Sequence, residues 1–279
     1  MRIGVSPFAS TRDGARRVAV AAVEGGIETI WLGDGLLEVD AFPMWSGGLE
    51  PFVELAYFAG RHPGIRVALG AAVLPLRDVQ WVAKQAATLD QLTEGNFVLA
   101  VTPGFWEREF QFRGLRFEER GLRFEDFVGA LRAAFVGEPY ESDVARLPVD
   151  GRLSPVPATP GGPPLWYAGG RATFERALRD GVPYQAPPTP PDRLRETAGE
   201  WFDRGGTDLA VRISLEYGER VATSGDVLRG PTPYLLEQLV LYRAIGVADV
   251  SIMPGRDDAT SLRTVDVLAS EVLPRFASM

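Results

Sequence analysis

The sequence contains no cysteine, one histidine and one lysine among its 279 residues. The absence of cysteine excludes disulfides, thiolate metal ligands and cysteine nucleophiles. His62 is the only imidazole, so a mononuclear histidine metal site lacks ligands and we expect no bound metal. Lys84 lies in a predicted helix away from any strand end, and a Schiff-base aldolase mechanism therefore has no candidate lysine.

Long apolar runs and excess positive charge are also missing. No apolar stretch reaches the length that spans a membrane, and the first residues, MRIGVSPFAS, lack the apolar stretch and cleavage site of a signal peptide. The net charge of −8 argues against nucleic acid as a partner. We therefore expect a cytoplasmic protein that acts on a small-molecule substrate and binds neither nucleic acid nor a membrane.

The chain has enough apolar sequence for a large core, since 46% of its residues are hydrophobic. The segment RVALGAAV at 66–73 is apolar after its first residue, as expected of a strand buried on both faces. Pro75 ends this strand, Asp78 is a good N-cap, and apolar residues then recur at helical spacing up to Gly95. The apolar segment NFVLAVTPG follows, which predicts a strand–helix–strand unit with parallel strands.

The same alternation continues along the chain. Strands are predicted at 2–6, 27–34, 66–73, 96–104, 164–170, 181–186, 208–218 and 248–255, each followed by a helix. Eight such units favour a closed (β/α)8 TIM barrel that forms one domain over residues 1–279, with an open doubly wound sheet as the alternative. Residues 137–163 are rich in proline and glycine, and they predict an insertion between helix four and strand five that carries a small hairpin.

Four segments resemble the bacterial-luciferase-like family of flavin- and deazaflavin-dependent oxidoreductases. They are GAAVLPLRDVQWVAKQAATLDQLTEGNFVLAVTPG, FRGLRFEERGLRFEDFVGALRAAF, PPLWYAGGRATFERALRDG and the C-terminal YRAIGVADVSIMPG. Their order and spacing cover nearly the whole chain. The resemblance implies a (β/α)8 barrel with an insertion, which agrees with the count of eight units, and a cofactor at the carboxyl ends of the strands.

The resemblance places the cofactor ring against the end of strand three. The family often has a cis peptide there that bulges against the ring, and the matching positions are Ala72 and Val73. Related proteins often carry serine where this chain has Ala72, and an ordinary buried strand end is the alternative interpretation. Thr102 and Gly104 are expected beside the cofactor at the end of strand four.

The segment YAGGRATFERAL is the best candidate for holding a phosphate. Ala168, Gly169 and Gly170 lie between strand five and its helix, where glycines let the backbone approach an anion and the helix N-terminus offers free amides. Arg171 adds a positive charge, and Arg256 after strand eight is a second basic candidate. A simple tight turn is the alternative, and the family match at this position favours phosphate.

Two residues near strand two are candidates for catalysis. The family often has an acid near the ring at the position of Asp34, commonly followed by histidine in the deazaflavin enzymes, and this chain has Gly35 instead. Trp45 corresponds to an aromatic residue that covers the ring, or it is a hydrophobic plug of the barrel mouth. Some relatives carry a catalytic glutamate where this chain has Phe105, so that role is not transferred.

Strand seven alternates apolar and polar residues. Val211 begins the apolar set, which we expect to face the helices, and the polar set that faces the barrel interior includes Arg212 and Glu216. An internal ion pair between Arg212 and Glu216 is the favoured interpretation. Glu216 lies nearer the working end of the barrel and is also a candidate for touching substrate.

The resemblance implies an oxidoreductase that moves a hydride between a flavin-type cofactor and an unidentified small organic substrate. Among the cofactors we favour coenzyme F420, because the chain is short for the family and its lysine-poor, arginine-rich composition suits actinobacterial sources, in which F420 enzymes abound. The alternatives are an FMN-dependent luciferase-like monooxygenase and a cofactor-binding homologue with little catalytic activity. A phosphate-binding isomerase or lyase is a more distant possibility, disfavoured by the scarcity of lysine and histidine.

Helices two and three predict a homodimer. Helix two, PFVELAYFAG, is apolar nearly all round, and Trp81 lies outside the core-facing stripe of helix three. A barrel helix has one face to bury, so apolar residues on a second face favour a partner. Family members commonly dimerise through these two helices, usually about a two-fold axis. A tryptophan lying flat on its own barrel is the alternative.

Overall fold

A computed structural model describes residues 1–7, 11–37, 48–147 and 151–279 of the chain. Eight parallel strands close into a barrel in the order β1-β2-β3-β4-β7-β8-β9-β12, with β12 pairing back to β1. The TIM-barrel prediction is therefore confirmed. The strands in the described residues are β1 (Arg2–Val5), β2 (Thr29–Leu32), β3 (Arg66–Val73), β4 (Phe97–Thr102), β5 (Tyr140–Glu141), β6 (Arg146–Leu147), β7 (Leu165–Ala168), β8 (Tyr184–Ala186), β9 (Leu209–Tyr217), β10 (Ala222–Ser224), β11 (Val227–Gly230) and β12 (Val247–Met253).

Helices follow the barrel strands and pack around them. They are α1 (Arg12–Glu24), α2 (Pro51–Arg61), α3 (Val79–Leu92), α4 (Glu107–Phe112), α5 (Arg120–Val136), α6 (Arg171–Asp180), α7 (Pro191–Asp203), α8 (Thr232–Ala244), α9 (Asp258–Val267) and α10 (Leu273–Ala277), with a π-helical turn between the last two. The side chain of Asp78 caps α3 by accepting a hydrogen bond from the Trp81 amide at 3.0 Å, as the sequence predicts. None of the helices in the described ranges is both long and apolar enough to cross a membrane.

The inside of the barrel is filled by two tryptophans among small residues. The rings of Trp31 and Trp166 lie 5.7 Å apart, and the interior cluster around them consists otherwise of alanines and Val98. A Cβ atom added to Gly4 or Gly70 would come within 2.6 Å of the Trp31 ring. These glycines therefore make room for the indole, which forms a floor beneath the carboxyl ends of the strands.

The insertion at 137–163 packs outside the barrel, and its hairpin is confirmed as the antiparallel pair β5–β6. Asp90, which is fully buried, accepts hydrogen bonds from the backbone amide of Thr159 at 2.6 Å and from its hydroxyl at 2.9 Å. Lys84 donates to the Ser154 carbonyl at 2.5 Å. The single lysine therefore holds the insertion and lies away from the barrel mouth.

Three features differ from the sequence-based expectations. The short helix α4 after β4 and the hairpin β10–β11 after β9 were not predicted. The non-proline cis peptide bond joins Gly70 to Ala71, so the expected position at Ala72 and Val73 was wrong by two residues. Gly70 is the residue whose missing Cβ accommodates Trp31, which is a packing requirement that the local sequence pattern does not reveal.

Candidate active site

Most of the predicted site residues gather at the carboxyl ends of β2, β3, β4 and β7. A Cβ atom added to Gly104, whose φ is +82°, would lie 2.7 Å from a methyl carbon of Val73. The Gly104 amide donates to the Thr102 hydroxyl at 3.3 Å. Ala72 and Val73 are buried at the end of β3. Trp45 lies outside the described residues.

Asp34 is held by an arginine and a backbone amide. One carboxylate oxygen accepts hydrogen bonds from the Val73 amide at 2.9 Å and from Arg77 Nε at 2.7 Å, and the other accepts from Arg77 Nη2 at 2.6 Å. The Asp34 side chain is only 7% exposed. This bidentate geometry joins the end of β2 to the end of β3 and leaves Asp34 well satisfied as a carboxylate.

Arg77 also ties this pair to α2. Its Nη1 lies 2.9 Å from Glu50, and Glu50 caps α2 by accepting from the Val53 amide. Burial lowers the pKa of Arg77, but its bonds to Asp34 and Glu50 outweigh that effect and leave the pKa above the usual arginine value. The network Asp34–Arg77–Glu50 therefore joins the ends of β2 and β3 to the start of α2.

Glu109 lies near the end of β4, where the sequence favours a solvated acid, but the structure buries it. It belongs to α4, is 5% exposed, and accepts hydrogen bonds from the amides of Leu36 at 2.5 Å and Leu37 at 3.2 Å. Burial raises the pKa of Glu109, while the two amide bonds oppose the rise. Glu109 therefore positions the loop that follows Asp34. This role could not be predicted without α4, the short helix that carries Glu109.

The turn between β7 and α6 has the shape expected of an anion cradle. Gly169 has φ +149°, and a Cβ there would lie 2.7 Å from the Thr173 hydroxyl, whereas a Cβ on Gly170 would meet nothing within 4 Å. Tyr184 donates its hydroxyl to the Gly169 carbonyl at 2.5 Å and fixes the turn. At the start of α6 the amides of Thr173 and Phe174 donate to the Gly170 carbonyl at 2.9 and 3.1 Å, and the amides before them are the ones that a helix start offers to an anion.

Arg171 forms ion pairs with one carboxylate on its own helix and with one on α7. Its guanidinium lies 2.5 Å from Glu175 and 2.5 Å from Glu200, and 4.7 Å from the centre of the Phe174 ring. Arg171 is thus engaged by two carboxylates, and its role beside a phosphate stays a prediction. The glycine backbone, not this side chain, is the part of the turn suited to an anion.

Several polar atoms inside the barrel mouth lack a hydrogen-bond partner within the described part of the chain. They are Trp31 Nε1, Gln185 Nε2, Glu216 Oε1 and Ser251 Oγ, carried by β2, β8, β9 and β12. Arg212 also points inside, with Nη2 3.4 Å from the Ser6 hydroxyl, and burial lowers its pKa to about 10. Buried polar atoms normally have partners, so water or a polar ligand in the barrel would satisfy this group.

These features together fit a flavin-type cofactor. A planar ring with polar edges would satisfy the unpartnered donors of Gln185 and Ser251 above the Trp31 floor, and a phosphate would fit the open space at Gly170. In residues 1–7, 11–37, 48–147 and 151–279, no three histidine or acidic side chains come together in a way that could hold a metal ion.

A cleft of about 440 Å³ adjoins the mouth on its outer side, between the ends of β2 and β3. Asp34, Arg77 and Val73 line its inner wall, and Trp81 lines its outer edge. Trp81 is 61% exposed, and Val53 and Tyr57 on α2 are 68% and 44% exposed. We refer to Val53, Tyr57 and Trp81 as the α2–α3 patch.

Comparisons with known proteins identify relatives of this chain. The sequence profile of the luciferase-like monooxygenase family matches residues 3–215. Over 128 residues the chain is 31% identical to the pyrimidine monooxygenase RutA of Yersinia enterocolitica, a match that covers 42% of this chain and 33% of RutA. The chain therefore spans about a third of the length of this relative.

Two solved structures share the fold over nearly the full chain. One is the FMN-bound oxygenating component of 3,6-diketocamphane monooxygenase from Pseudomonas putida, with a TM-score of 0.78, 13% identity and coverage of 99% of this chain and 98% of that chain. The other is an F420-dependent secondary alcohol dehydrogenase bound to an F420–acetone adduct, with a TM-score of 0.80, 13% identity and coverage of 99% and 98%. At these identities the likeness shows the fold alone, and the neighbours bind either cofactor.

Proposed function

The chain belongs to the luciferase-like monooxygenase family, and on that premise we propose that it is an oxidoreductase that transfers a hydride between coenzyme F420 and a small organic substrate. The observation that carries the proposal is the set of unpartnered polar atoms in the barrel mouth, on Trp31, Gln185, Glu216 and Ser251. Such atoms are costly in an empty apolar interior and favourable where a polar ring and substrate bind.

We assign the cofactor to two walls of the mouth. The end of β3, with Ala72 and Val73, and the turn containing Thr102 and Gly104 would form the surface against the ring. Asp34 would act by positioning, because its bonds to Arg77 and Val73 set the place of that surface. F420, when bound, supplies a carbon that gives or takes a hydride.

The backbone from Ala168 to Gly170 would hold the cofactor phosphate. Gly170 is exposed at the start of α6, and there is free space where its side chain would be. The helix start contributes amides and a positive dipole end, which are favourable for an anion. Arg171 contributes at longer range, since Glu175 and Glu200 already engage it.

F420 is proposed ahead of FMN on the evidence of the sequence. Its 29 basic residues include a single lysine, which suits the organisms in which F420 enzymes abound. Known neighbours of this fold use either cofactor. An FMN-dependent monooxygenase is one alternative. The other is a cofactor-binding homologue with little activity, because Gly35 and Phe105 stand where relatives carry histidine and glutamate.

Absorbance and anaerobic turnover test the proposal. Purified protein loaded with reduced F420 should reoxidise the cofactor when it is given a pool of small carbonyl compounds without oxygen. Oxidation that needs molecular oxygen and reduced FMN would favour the monooxygenase alternative. A bound cofactor that none of the compounds oxidises would favour the inactive homologue.

We also propose that the protein is a homodimer formed through the α2–α3 patch. Val53, Tyr57 and Trp81 are all exposed and apolar, and they lie on two helices that pack side by side. Such a patch on adjacent helices supports an interface more strongly than one exposed tryptophan does. The partner would also cover the cleft beside Asp34 and Arg77.

A further inference from the structure

We propose that Glu216 exchanges a proton with the substrate oxygen, and that the substrate is therefore a carbonyl compound or the corresponding alcohol. This inference rests on the proposed function, because it assumes that a hydride is transferred in the same site. It supplies the proton donor that the departures at Gly35 and Phe105 leave unassigned.

The position of Glu216 on β9 points it into the barrel mouth. Val211, Ile213 and Leu215 belong to the core between the strands and the helices, so the alternate residues, including Glu216, face the interior. Glu216 is one residue before the carboxyl end of β9 and is 7% exposed. Its Oε1 atom has no hydrogen-bond partner, so this carboxyl is available to a ligand.

Other acids near the mouth are already engaged. Both oxygens of Asp34 accept hydrogen bonds from Arg77, and Glu109 accepts from the amides of two loop residues. Asp249 has an unpartnered oxygen, but it pairs with Arg66 at the amino end of the barrel. Within the described residues, Glu216 is thus the acid at the mouth that is buried, unpartnered and inside the barrel.

The charges around Glu216 support both of its protonation states. Arg229 is its direct neighbour on β11 in the strand register, and Arg256 and Asp257 follow β12. Burial raises the pKa of Glu216, Arg229 and Arg256 lower it, and Asp257 raises it, with a net shift upward. The acid therefore keeps its proton to higher pH than an exposed glutamate does, and the arginines stabilise the carboxylate after the proton has left.

The chemistry balances with these groups alone and the proposed cofactor. In the reducing direction the carbonyl carbon gains a hydride from the reduced cofactor, the π electron pair of the C=O bond moves to oxygen, and that oxygen takes the Glu216 proton. The products would be an alcohol, the cofactor after loss of its hydride and the Glu216 carboxylate. The cofactor would then release its ring N–H proton to solvent, and Glu216 would take up one proton from solvent, so that one hydride and one proton in total pass to the carbonyl compound. Alcohol oxidation follows the same steps in reverse.

The first test does not depend on turnover. Infrared difference spectra of wild type against Glu216→Gln should show a protonated-carboxyl band that titrates above the ~4.3 of an exposed glutamate. Glu219→Gln, three residues further on and exposed, should leave this band unchanged. Saturating cofactor with cyclohexanone as the probe carbonyl should shift the band. A Glu216 band that titrates at or below the ordinary value, or that the probe leaves unmoved, overturns the proposal.

The second test is a single-turnover reaction of bound reduced cofactor with cyclohexanone. Glu216→Gln should slow it on the order of 100-fold, as loss of a general acid does, with cofactor affinity within about twofold of wild type. The wild-type rate should fall as pH rises through the Glu216 titration, and Glu216→Asp should keep a pH dependence that Glu216→Gln lacks. Equal rates and pH profiles in wild type and Glu216→Gln overturn the role of Glu216 while the proposed function stands. Failure of wild type to bind either cofactor overturns the proposed function, and the infrared titration still decides the state of Glu216.

Discussion

Replacing Arg77 with alanine should destabilise the protein and loosen the wall on which the cofactor is expected to lie. The substitution removes the guanidinium that binds both carboxylate oxygens of Asp34 and also reaches Glu50. It leaves the Asp34 carboxylate, which is 7% exposed, with the hydrogen bond from the Val73 amide. A buried charge that loses its partner is a known cause of large destabilisation.

The magnitude follows from the burial of the pair. Breaking a buried ion pair by removing one partner lowers the free energy of unfolding by roughly 3–5 kcal/mol. Arg77 is 19% exposed and the Val73 amide still serves Asp34, so we expect the lower end, about 3 kcal/mol. For a chain of this size that corresponds to a fall of roughly 6–12 °C in the melting temperature.

The assay is urea unfolding followed by circular dichroism, with Arg116→Ala as the matched control. Arg116 pairs with Glu119 on the surface, where the two side chains are 74% and 44% exposed, and such pairs contribute about 0–1 kcal/mol. The double variant Arg77→Ala with Asp34→Ala should be less destabilised than the sum of the single variants, because the buried Asp34 charge is removed together with its partner and the Glu50 carboxylate that remains is 40% exposed. An Arg77→Ala protein that unfolds at the wild-type midpoint would refute the reasoning.

Three further predictions concern the phosphate turn, the interface and the interior acid. Gly170→Asp should weaken cofactor binding more than tenfold, or over about 1.4 kcal/mol, in equilibrium titration without loss of fold, whereas Gly199→Asp, also in open space, should bind normally; unchanged affinity in Gly170→Asp would rule out a phosphate there. Light scattering should give twice the chain mass of 30.4 kDa, and Trp81→Glu should return the monomer; a dimer unaffected by Trp81→Glu would place the interface elsewhere. The pKa of Glu216 is raised in the folded state, so its contribution to stability is full below the unfolded value of ~4.3 and is lost as pH rises through the folded pKa. The difference in melting temperature between wild type and Glu216→Gln should therefore change over that pH range. A difference that stays constant with pH would contradict the prediction.

The parts of the fold that were predicted from sequence depend on local signals. The β3–α3 unit was predicted because Pro75 ends a strand and Asp78 begins a helix, and both effects involve only neighbouring residues. The structure confirms the Asp78 cap. The hairpin β10–β11 was missed because all three residues of β10 are exposed, so this strand has no apolar run to signal it. The position of the cis bond was taken from the family resemblance and was wrong. The sequence at the end of β3 is uniformly apolar, so it does not show which of its peptide bonds is cis.

The side-chain partners in the site could not be predicted because they are distant in the chain. Asp34 and Arg77 are 43 residues apart, and Glu109 reaches an amide 73 residues earlier. Arg171 was expected near the phosphate from its place beside two glycines, yet it meets Glu200 on the next helix. Such pairings are set by how the helices pack around the barrel, and no period or motif encodes them.

The most direct test of the central claim is the pair of dissociation constants for F420 and FMN, measured by fluorescence titration of the same purified protein in one buffer. The account predicts that F420 binds in the micromolar range, about −8 kcal/mol, and at least tenfold more tightly than FMN. Micromolar binding of FMN with no binding of F420 would contradict the choice of cofactor, and no binding of either would contradict the proposed site itself.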